Sequence, residues 1–347
     1  MPRLNLEIGF EDQASLKHLR KGLIHSALFY FSIFSFIFLS GCGHLFYYPD
    51  RVLYFDPKKH KLEYQEVHFK SLDGTEIVGW YFKAQPWVPG KAVSSKVVGS
   101  KATNLKAKDS VVKPTLQNRW PAQRARKNRT VIHFHGNAQN VSSHFSQLYW
   151  MTQFGYDYFI LDYRGYGGSR GEPKHKGVQE DVVASIEYIL GGGPTGEVPK
   201  QVILYGQSLG GASLLGAFDN IKDKSKIEAV IVEGAFSSYQ RIARRKMSSW
   251  WLSWPFQWLP YLVLSDRYSG DKNIEKISPI PLLVIHGKAD KIVEPNEGQD
   301  IFKRGQEPKQ LWMIDGADHL QSYFVEQGAY QDKLIEYLER VEKPLAQ

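Results

Sequence analysis

Gly206-Gln207-Ser208-Leu209-Gly210 stands between residues 201–205, which read as a short apolar strand, and residues 208–218, a run of small and apolar residues that reads as a helix. A G-x-S-x-G stretch at a strand-to-helix junction makes a sharp turn with the serine at its apex. Bulky residues two before or two after the serine would collide with the backbone, and glycine at 206 and 210 removes them. The turn lifts the Ser208 hydroxyl clear of the strand end and sets it at a helix N-terminus. A second small pair, Gly211-Ala212, strengthens the reading against a merely structural turn serine.

A serine hydroxyl is a poor nucleophile at neutral pH and needs a base, which in turn needs an orienting acid. The chain supplies both downstream in the order Ser, Asp, His. Asp290 follows a strand-like run at 282–286 and closes Gly287-Lys288-Ala289-Asp290, while His319 follows the last strand-like run, 311–314, in Asp315-Gly316-Ala317-Asp318-His319. Strand-and-helix steps separate the three, which places them beyond one edge of one sheet, where open α/β sheets carry their sites. Upstream, His133-Phe134-His135-Gly136-Asn137-Ala138 follows another strand. The backbone N–H of Asn137, with that of Leu209, is expected to form a two-donor oxyanion hole. Glu233, at the end of the preceding strand, is the rival acid, and His286 is the rival base, expected instead to pack at a strand end. Asp318 reads as a solvated turn residue, His133 as core or supporting shell, and Asp162 with Arg164 as residues that hold their loop as an ion pair.

The rest of the chain alternates in the same way. Residues 63–71 and 76–84 flank Asp73-Gly74 as an opening hairpin. Strands are expected at 130–135, 156–162, 201–205, 229–233, 282–286 and 311–314. Helices are expected at 142–153, 178–190, 208–218 and 321–341. That alternation predicts a mostly parallel, doubly wound α/β sheet covered on both faces.

In order, His135-Gly136-Asn137-Ala138, Asp162-Tyr163-Arg164-Gly165-Tyr166-Gly167-Gly168-Ser169, Gly206-Gln207-Ser208-Leu209-Gly210-Gly211-Ala212, His286-Gly287-Lys288-Ala289-Asp290 and Asp318-His319 resemble the α/β-hydrolases, and more narrowly their Bem46-like branch, over about residues 62–345. The resemblance implies serine hydrolase chemistry with no metal or organic cofactor. It also implies an acyl ester or thioester substrate, since some relatives cleave fatty acyl thioesters from proteins. A serine peptidase or aminopeptidase is the enzymatic alternative, because the same triad cleaves amides. A non-catalytic envelope lipoprotein scaffold is the other, and the intact triad argues against it.

Composition narrows the remaining choices. The 347 residues are 42% apolar and 23% charged, ordinary for a globular protein. The net charge of +8 invites a nucleic-acid partner until it is located. Residues 85–130 hold eleven basic side chains and one acid, Asp109, so this insertion is +10 and the rest of the chain −2. A nucleic-acid partner is therefore not expected, and the insertion reads as a solvated surface loop or a contact for anionic head groups. The oligomeric state is not legible.

The N-terminus reads as an export and anchoring signal. Basic residues at 17–21 precede the uncharged stretch 22–40, and Leu39-Ser40-Gly41-Cys42 resembles a bacterial lipobox. The resemblance implies cleavage before Cys42 and lipidation of the chain's only cysteine. An uncleaved signal anchor is the alternative. Residues 42–61 would be a tether, and the protein a lipoprotein of a bacterial cell envelope, on the outer membrane or the outer face of the inner membrane. Gly43 in place of an aspartate favours the outer membrane. Residues 239–272 read as a short cap, with Arg241, Arg244, Arg245 and Lys246 ahead of Trp250, Trp251, Trp254 and Trp258. Such a segment suits a membrane interface, an acyl-chain pocket or plain packing onto the core.

Overall fold

The computed structural model describes residues 46–85, 128–249 and 251–341. The signal-like segment, Cys42, insertion residues 86–127 and Trp250 lie outside the described residues. The described residues belong to one compact unit, Gly43–Gln347.

In chain order the elements are β1 (Tyr48–Pro49), β2 (Gln65–Lys70), β3 (Glu76–Phe82), β4 (Arg129–Phe134), β5 (Ala138–Gln139), α1 (Val141–His144), β6 (Tyr156–Asp162), α2 (His175–Leu190), β7 (Gln201–Gln207), α3 (Leu209–Ala217), β8 (Ile227–Glu233), α4 (Tyr239–Ser248), α5 (Pro260–Val263), β9 (Leu282–Gly287), α6 (Pro295–Arg304), β10 (Lys309–Ile314) and α7 (Ala329–Val341). Eight strands form one sheet in the order β10-β9-β8-β7-β4-β6-β3-β2. β3 runs antiparallel to both β2 and β6, and every other pairing is parallel. This is the expected mostly parallel sheet of an α/β-hydrolase fold.

The strand sequences follow from their burial. β4, β6 and β8 are buried along their whole length, and β6 and β8 carry apolar runs at 158–161 and 229–232. The edge strand β2 instead alternates exposed and buried residues. On one face, Val178, Val182 and Ile186 of α2 and Leu214 and Leu215 of α3 pack with Ile132, Leu161, Leu204 and Val230. On the other, Phe145, Leu148, Leu334 and Leu338 pack with Val131, Ile160, Ile203 and Ile285. The opening hairpin forms as expected, with Phe69 opposite Ile77.

Two helices differ from expectation. Residues 142–153 do not form one helix: α1 ends at His144 and 3-10 turns follow at Phe145–Gln147 and Tyr149–Phe154. Ser143 and Thr152 turn their hydroxyls back onto the carbonyls of Asn140 and Tyr149, at 2.9 and 2.8 Å, which competes with the helical ladder. The closing helix starts at Ala329 instead of 321 because Gly328 sits at φ +84°, outside the helical region. Helix α6, which the sequence reading passed over, fills the crossover between β9 and β10.

From Phe46 onward, the stretch expected to be a tether lies against the fold as a strap. β1 pairs in parallel with β5, Tyr48 opposite Ala138. Gly167 N–H donates to the Asp50 carbonyl at 2.8 Å, and Tyr54 N–H to Ser142 Oγ at 2.9 Å. The Tyr47 hydroxyl hydrogen-bonds His175 Nδ1 at 3.0 Å, and the Phe46 ring packs edge-on to Tyr239 with centroids 5.0 Å apart.

Candidate active site

The chain leaves β4 for β6 on one side of the sheet, then returns to β7 on the other. The loops after β4 and β7 therefore diverge from adjacent strands, Phe134 opposite Gly206, and open a crevice between them. Ser208 sits in that crevice at φ +51°, ψ −118°, conformations a non-glycine residue adopts only when its surroundings impose them. Glycine at 210 is part of that imposition. A Cβ there would lie 2.1 Å from the Phe134 carbonyl oxygen and 2.4 Å from that of His135. Ser208 N–H is fixed to the Glu233 carbonyl at 2.9 Å, and its side chain is nearly buried.

His319 comes from beyond β10, three strands away in the sheet. Two glycines let it arrive. A Cβ on Gly287 would meet the Ala317 carbonyl at 2.3 Å, so only glycine lets the 315–319 loop cross the end of β9. Gly234, at φ +55°, lies under the imidazole, where a Cβ would stand 3.2 Å from His319 Nδ1. The loop is stapled by Ala289 N–H to the Ala317 carbonyl at 3.0 Å and by Lys288 N–H to the Ile314 carbonyl at 2.9 Å. The result is a continuous relay: Ser208 Oγ to His319 Nε2 at 3.0 Å, and His319 Nδ1 to Asp290 Oδ2 at 2.7 Å.

The Asp290 side chain is fully buried. Burial pushes its carboxyl up, but hydrogen bonds from His286 and His319 outweigh it and hold the group well below the usual carboxylate range. Its Oδ1 accepts the amides of Ile292 and Val293, both at 2.9 Å. The carboxylate is thus charged, fixed and aimed at the imidazole. The rival acid Glu233 points elsewhere: its Oε2 accepts the Tyr205 hydroxyl at 2.9 Å and Gln207 Nε2 at 2.8 Å. Gln207 Oε1 in turn meets His133 Nε2 at 2.8 Å, and His133 Nδ1 meets the Tyr158 hydroxyl at 2.7 Å. A polar chain from Tyr158 to Glu233 thus underlies the elbow. Burial, reinforced by His144, lowers the His133 pKa to about 3 and keeps it neutral.

Asn137 lies where the strap crosses the crevice wall. Its Oδ1 accepts Tyr48 N–H at 2.9 Å and the Tyr166 hydroxyl at 3.2 Å. Among the described residues, the backbone N–H groups of Asn137 and Leu209 have no protein acceptor. Gly136 carries the loop past Ser208, a Cβ there lying 3.7 Å from Ser208 Cβ.

The expected Asp162–Arg164 ion pair is not formed. Arg164 binds Asp181 and Asp73 instead, each at 2.8 Å, because its side chain turns back toward α2 and the opening hairpin. Asp162 accepts the amides of Val141 at 2.8 Å and Gly168 at 3.3 Å, and burial raises its pKa to about 7. Asp318 Oδ1 caps its own loop by accepting His319 N–H at 2.8 Å. His286 is at a strand end as expected, with Nε2 2.9 Å from the Val293 carbonyl, but it also stands 3.4 Å from Asp290 Oδ2. Gly234 under the imidazole, the crossing over Gly287, the contact of His286 with Asp290 and the docking of the strap are features the sequence reading did not single out. The only signal for them was glycine at the ends of two strands.

Comparison with known proteins agrees with the fold. Residues 125–278 match a family model described as serine aminopeptidase, S33. The uncharacterized protein YfhR of Salmonella typhi is 29% identical over 336 residues, covering 94% of this chain and 98% of its own. Human alpha/beta hydrolase domain-containing protein 17B is 27% identical over 214 residues, 60% of this chain and 66% of its own. Among solved structures, the esterase Pf2001 of Pyrococcus furiosus superposes with a TM-score of 0.57 at 19% identity, covering 85% of this chain and 98% of its own. The alpha/beta hydrolase GrgF of Penicillium sp. sh18 gives 0.54 at 18%, covering 80% and 99%. Sheet order, elbow and these likenesses together place the chain among proteins of the α/β-hydrolase fold.

Proposed function

We propose that this chain is a serine hydrolase that cleaves carboxylic ester or thioester bonds of acyl substrates through an acyl-enzyme, held at a membrane by its N-terminal segment. The observation that carries the reading is the relay Ser208–His319–Asp290, at 3.0 and 2.7 Å, ending on a buried, charged carboxylate.

The mechanism follows from the contacts. Ser208 Oγ attacks the acyl carbon as its proton passes to His319 Nε2. The imidazolium is stabilised by Asp290, which accepts from Nδ1 throughout. The carbonyl oxygen takes the negative charge and receives hydrogen bonds from the amides of Asn137 and Leu209, one such donor being worth about 3–4 kcal/mol in the transition state. His319 returns its proton to the departing alkoxide or thiolate, leaving the acyl group on Ser208. Water then attacks under the same base, and the acid product leaves with Ser208 reprotonated. No step draws on a metal or organic cofactor.

The membrane part of the proposal is supported by the uncharged stretch 22–40 and by Leu39-Ser40-Gly41-Cys42, read as the lipidation signal of a bacterial envelope lipoprotein with Cys42 as its site. One acyl chain anchors marginally and two or three hold firmly. No helix among the described residues is long and apolar enough to cross a membrane.

Cleavage of amides is a second reading, favoured by the description of the matched family model. Matched acyl p-nitrophenyl ester, thioester and p-nitroanilide substrates separate the two on the full chain beside Ser208→Ala. Ester or thioester turnover well above the anilide, and abolished in the variant, is expected. Preferential anilide turnover would assign the chain to peptide chemistry, and equal turnover in wild type and variant would refute the hydrolase reading.

A further inference from the structure

Between Gln240 and Leu264 the chain leaves the sheet edge and returns to it. The two ends are joined by the Gln240 side-chain amide, which donates to the Leu264 carbonyl at 2.6 Å. The base of this projection is rigid. Ser238 caps α4 through Arg241 N–H at 3.0 Å. Arg241 pairs with Asp271 at 2.8 Å, and Arg245 with Glu297 and Asp300 of α6 at 2.5 and 2.9 Å.

The tip is of a different kind. Trp251 is 77% exposed, Trp254 59%, Trp258 52% and Leu262 66%, with Phe256 and Tyr261 exposed beside them. Scattered apolar side chains on a surface need no explanation, but a dense run of large aromatics on one short segment marks a surface built to be covered. Residues 240–264 hold four basic residues and no acidic one, and Arg244 and Lys246 are exposed. The aromatics suit the head-group depth of a bilayer, where a ring can be apolar on one side and wet on the other. The exposed positive charges of Arg244 and Lys246 suit an anionic surface.

Position adds to the argument. Lys246 Nζ donates to the Lys291 carbonyl at 2.9 Å, one residue beyond Asp290, so the projection stands beside the proposed triad. Its first helix begins at Tyr239, against which Phe46 packs. The described chain therefore begins at the foot of the aromatic projection.

We infer that the tip of the 240–264 projection docks onto an anionic lipid surface and turns the Ser208 crevice toward it. This goes beyond the hydrolase reading and does not depend on it, because the test reads the tip and not turnover.

The purified full chain, as wild type and as Trp251→Ser/Trp254→Ser/Trp258→Ser, is mixed with phosphatidylcholine vesicles with or without phosphatidylglycerol, the acyl chains brominated. Residues 1–45 contain no tryptophan, so insertion of that segment adds no emission of its own in either protein. Quenching at least about twice as strong in wild type as in the variant is expected with phosphatidylglycerol, with the difference shrinking toward ~0.5 M salt. Equal quenching in the two proteins overturns the inference. So does a dimer, seen by sedimentation without lipid, that the variant loses while quenching stays equal, because the covering partner is then a second copy. A matching thermal midpoint verifies that the variant folds. Arg244→Glu, a single exposed change, gives a second check: its quenching falls with phosphatidylglycerol and is unchanged without it.

Discussion

At Ser208 the backbone carries part of the proposed function, since φ +51° holds the hydroxyl where His319 Nε2 reaches it at 3.0 Å. Asp290→Asn keeps the shape but removes the charge opposite the imidazolium, and kcat is expected to fall about 10³–10⁴-fold. Glu233→Gln changes a group that meets Tyr205 and Gln207 but not His319, so its kcat should stay within about tenfold of wild type. Steady-state kinetics on one ester checks both, and the reverse ranking would move the acid to Glu233. His133 makes a prediction about stability. Its folded pKa is depressed to about 3, so its contribution is fully present above the ordinary 6.5 and is lost as pH falls toward the folded value. Denaturant unfolding at pH 7 and pH 5 should show the folded state weakening with acid, and His133→Gln should flatten that slope by up to about 1.4 kcal/mol per pH unit. Ser208, Asp290 and His319 were legible in the sequence because few residue types do this chemistry and each follows a strand. The contact of His286 with Asp290 and the place of Gly234 under His319 were not, since no local pattern says which residues a loop from three strands away will cover.

At the scale of elements, glycine decides how closely the elbow and its neighbours approach. Gly210→Ala would drive a methyl into the Phe134 carbonyl, and a loss of more than about 3 kcal/mol is expected in denaturant unfolding. A loss under about 1 kcal/mol would mean the elbow can move away from β4. The strap adds a second constraint, since Tyr48 N–H and the Tyr166 hydroxyl both end on Asn137 Oδ1. Asn137→Ala frees the loop without removing its backbone N–H. A kcat loss of about tenfold with KM little changed is expected, because misplacing a donor weakens transition-state binding above all. Unchanged kcat would show that the strap does not position the loop. Strand positions were readable within a residue or two, because buried parallel strands leave apolar runs such as residues 229–232. Residues 145–154 were not, because serine and threonine side chains bonded to the backbone resist an apolar periodicity that looks helical. The strap was read as a tether because β1, only two residues long, leaves no pattern in the sequence.

At the scale of the whole molecule, the crevice exists because the sheet reverses its winding between β4 and β7, and the His319 loop spans three strands to complete it. The projection beside it is fastened by charge. Glu297 is fully buried and faces both Arg241 and Arg245. Replacing it with alanine takes one carboxylate from each guanidinium and leaves Asp271 and Asp300 to hold them, and a loss of about 1–3 kcal/mol in unfolding free energy is expected. A loss below about 1 kcal/mol would show that the other carboxylates suffice. The fold class was legible from alternating elements alone, whereas the ion pairs at the foot of the projection were not, since Arg241 and Glu297 are brought together only by the docking of α4 against α6. The central claim is that Ser208 is an activated nucleophile. It is tested most directly by incubating the full chain and Ser208→Ala with a fluorophosphonate probe, with vesicles present, and locating the adduct by peptide mass. The account predicts an adduct on Ser208 in the wild type and none in the variant; a folded wild type that stays unlabelled, or equal labelling of the variant, would contradict it.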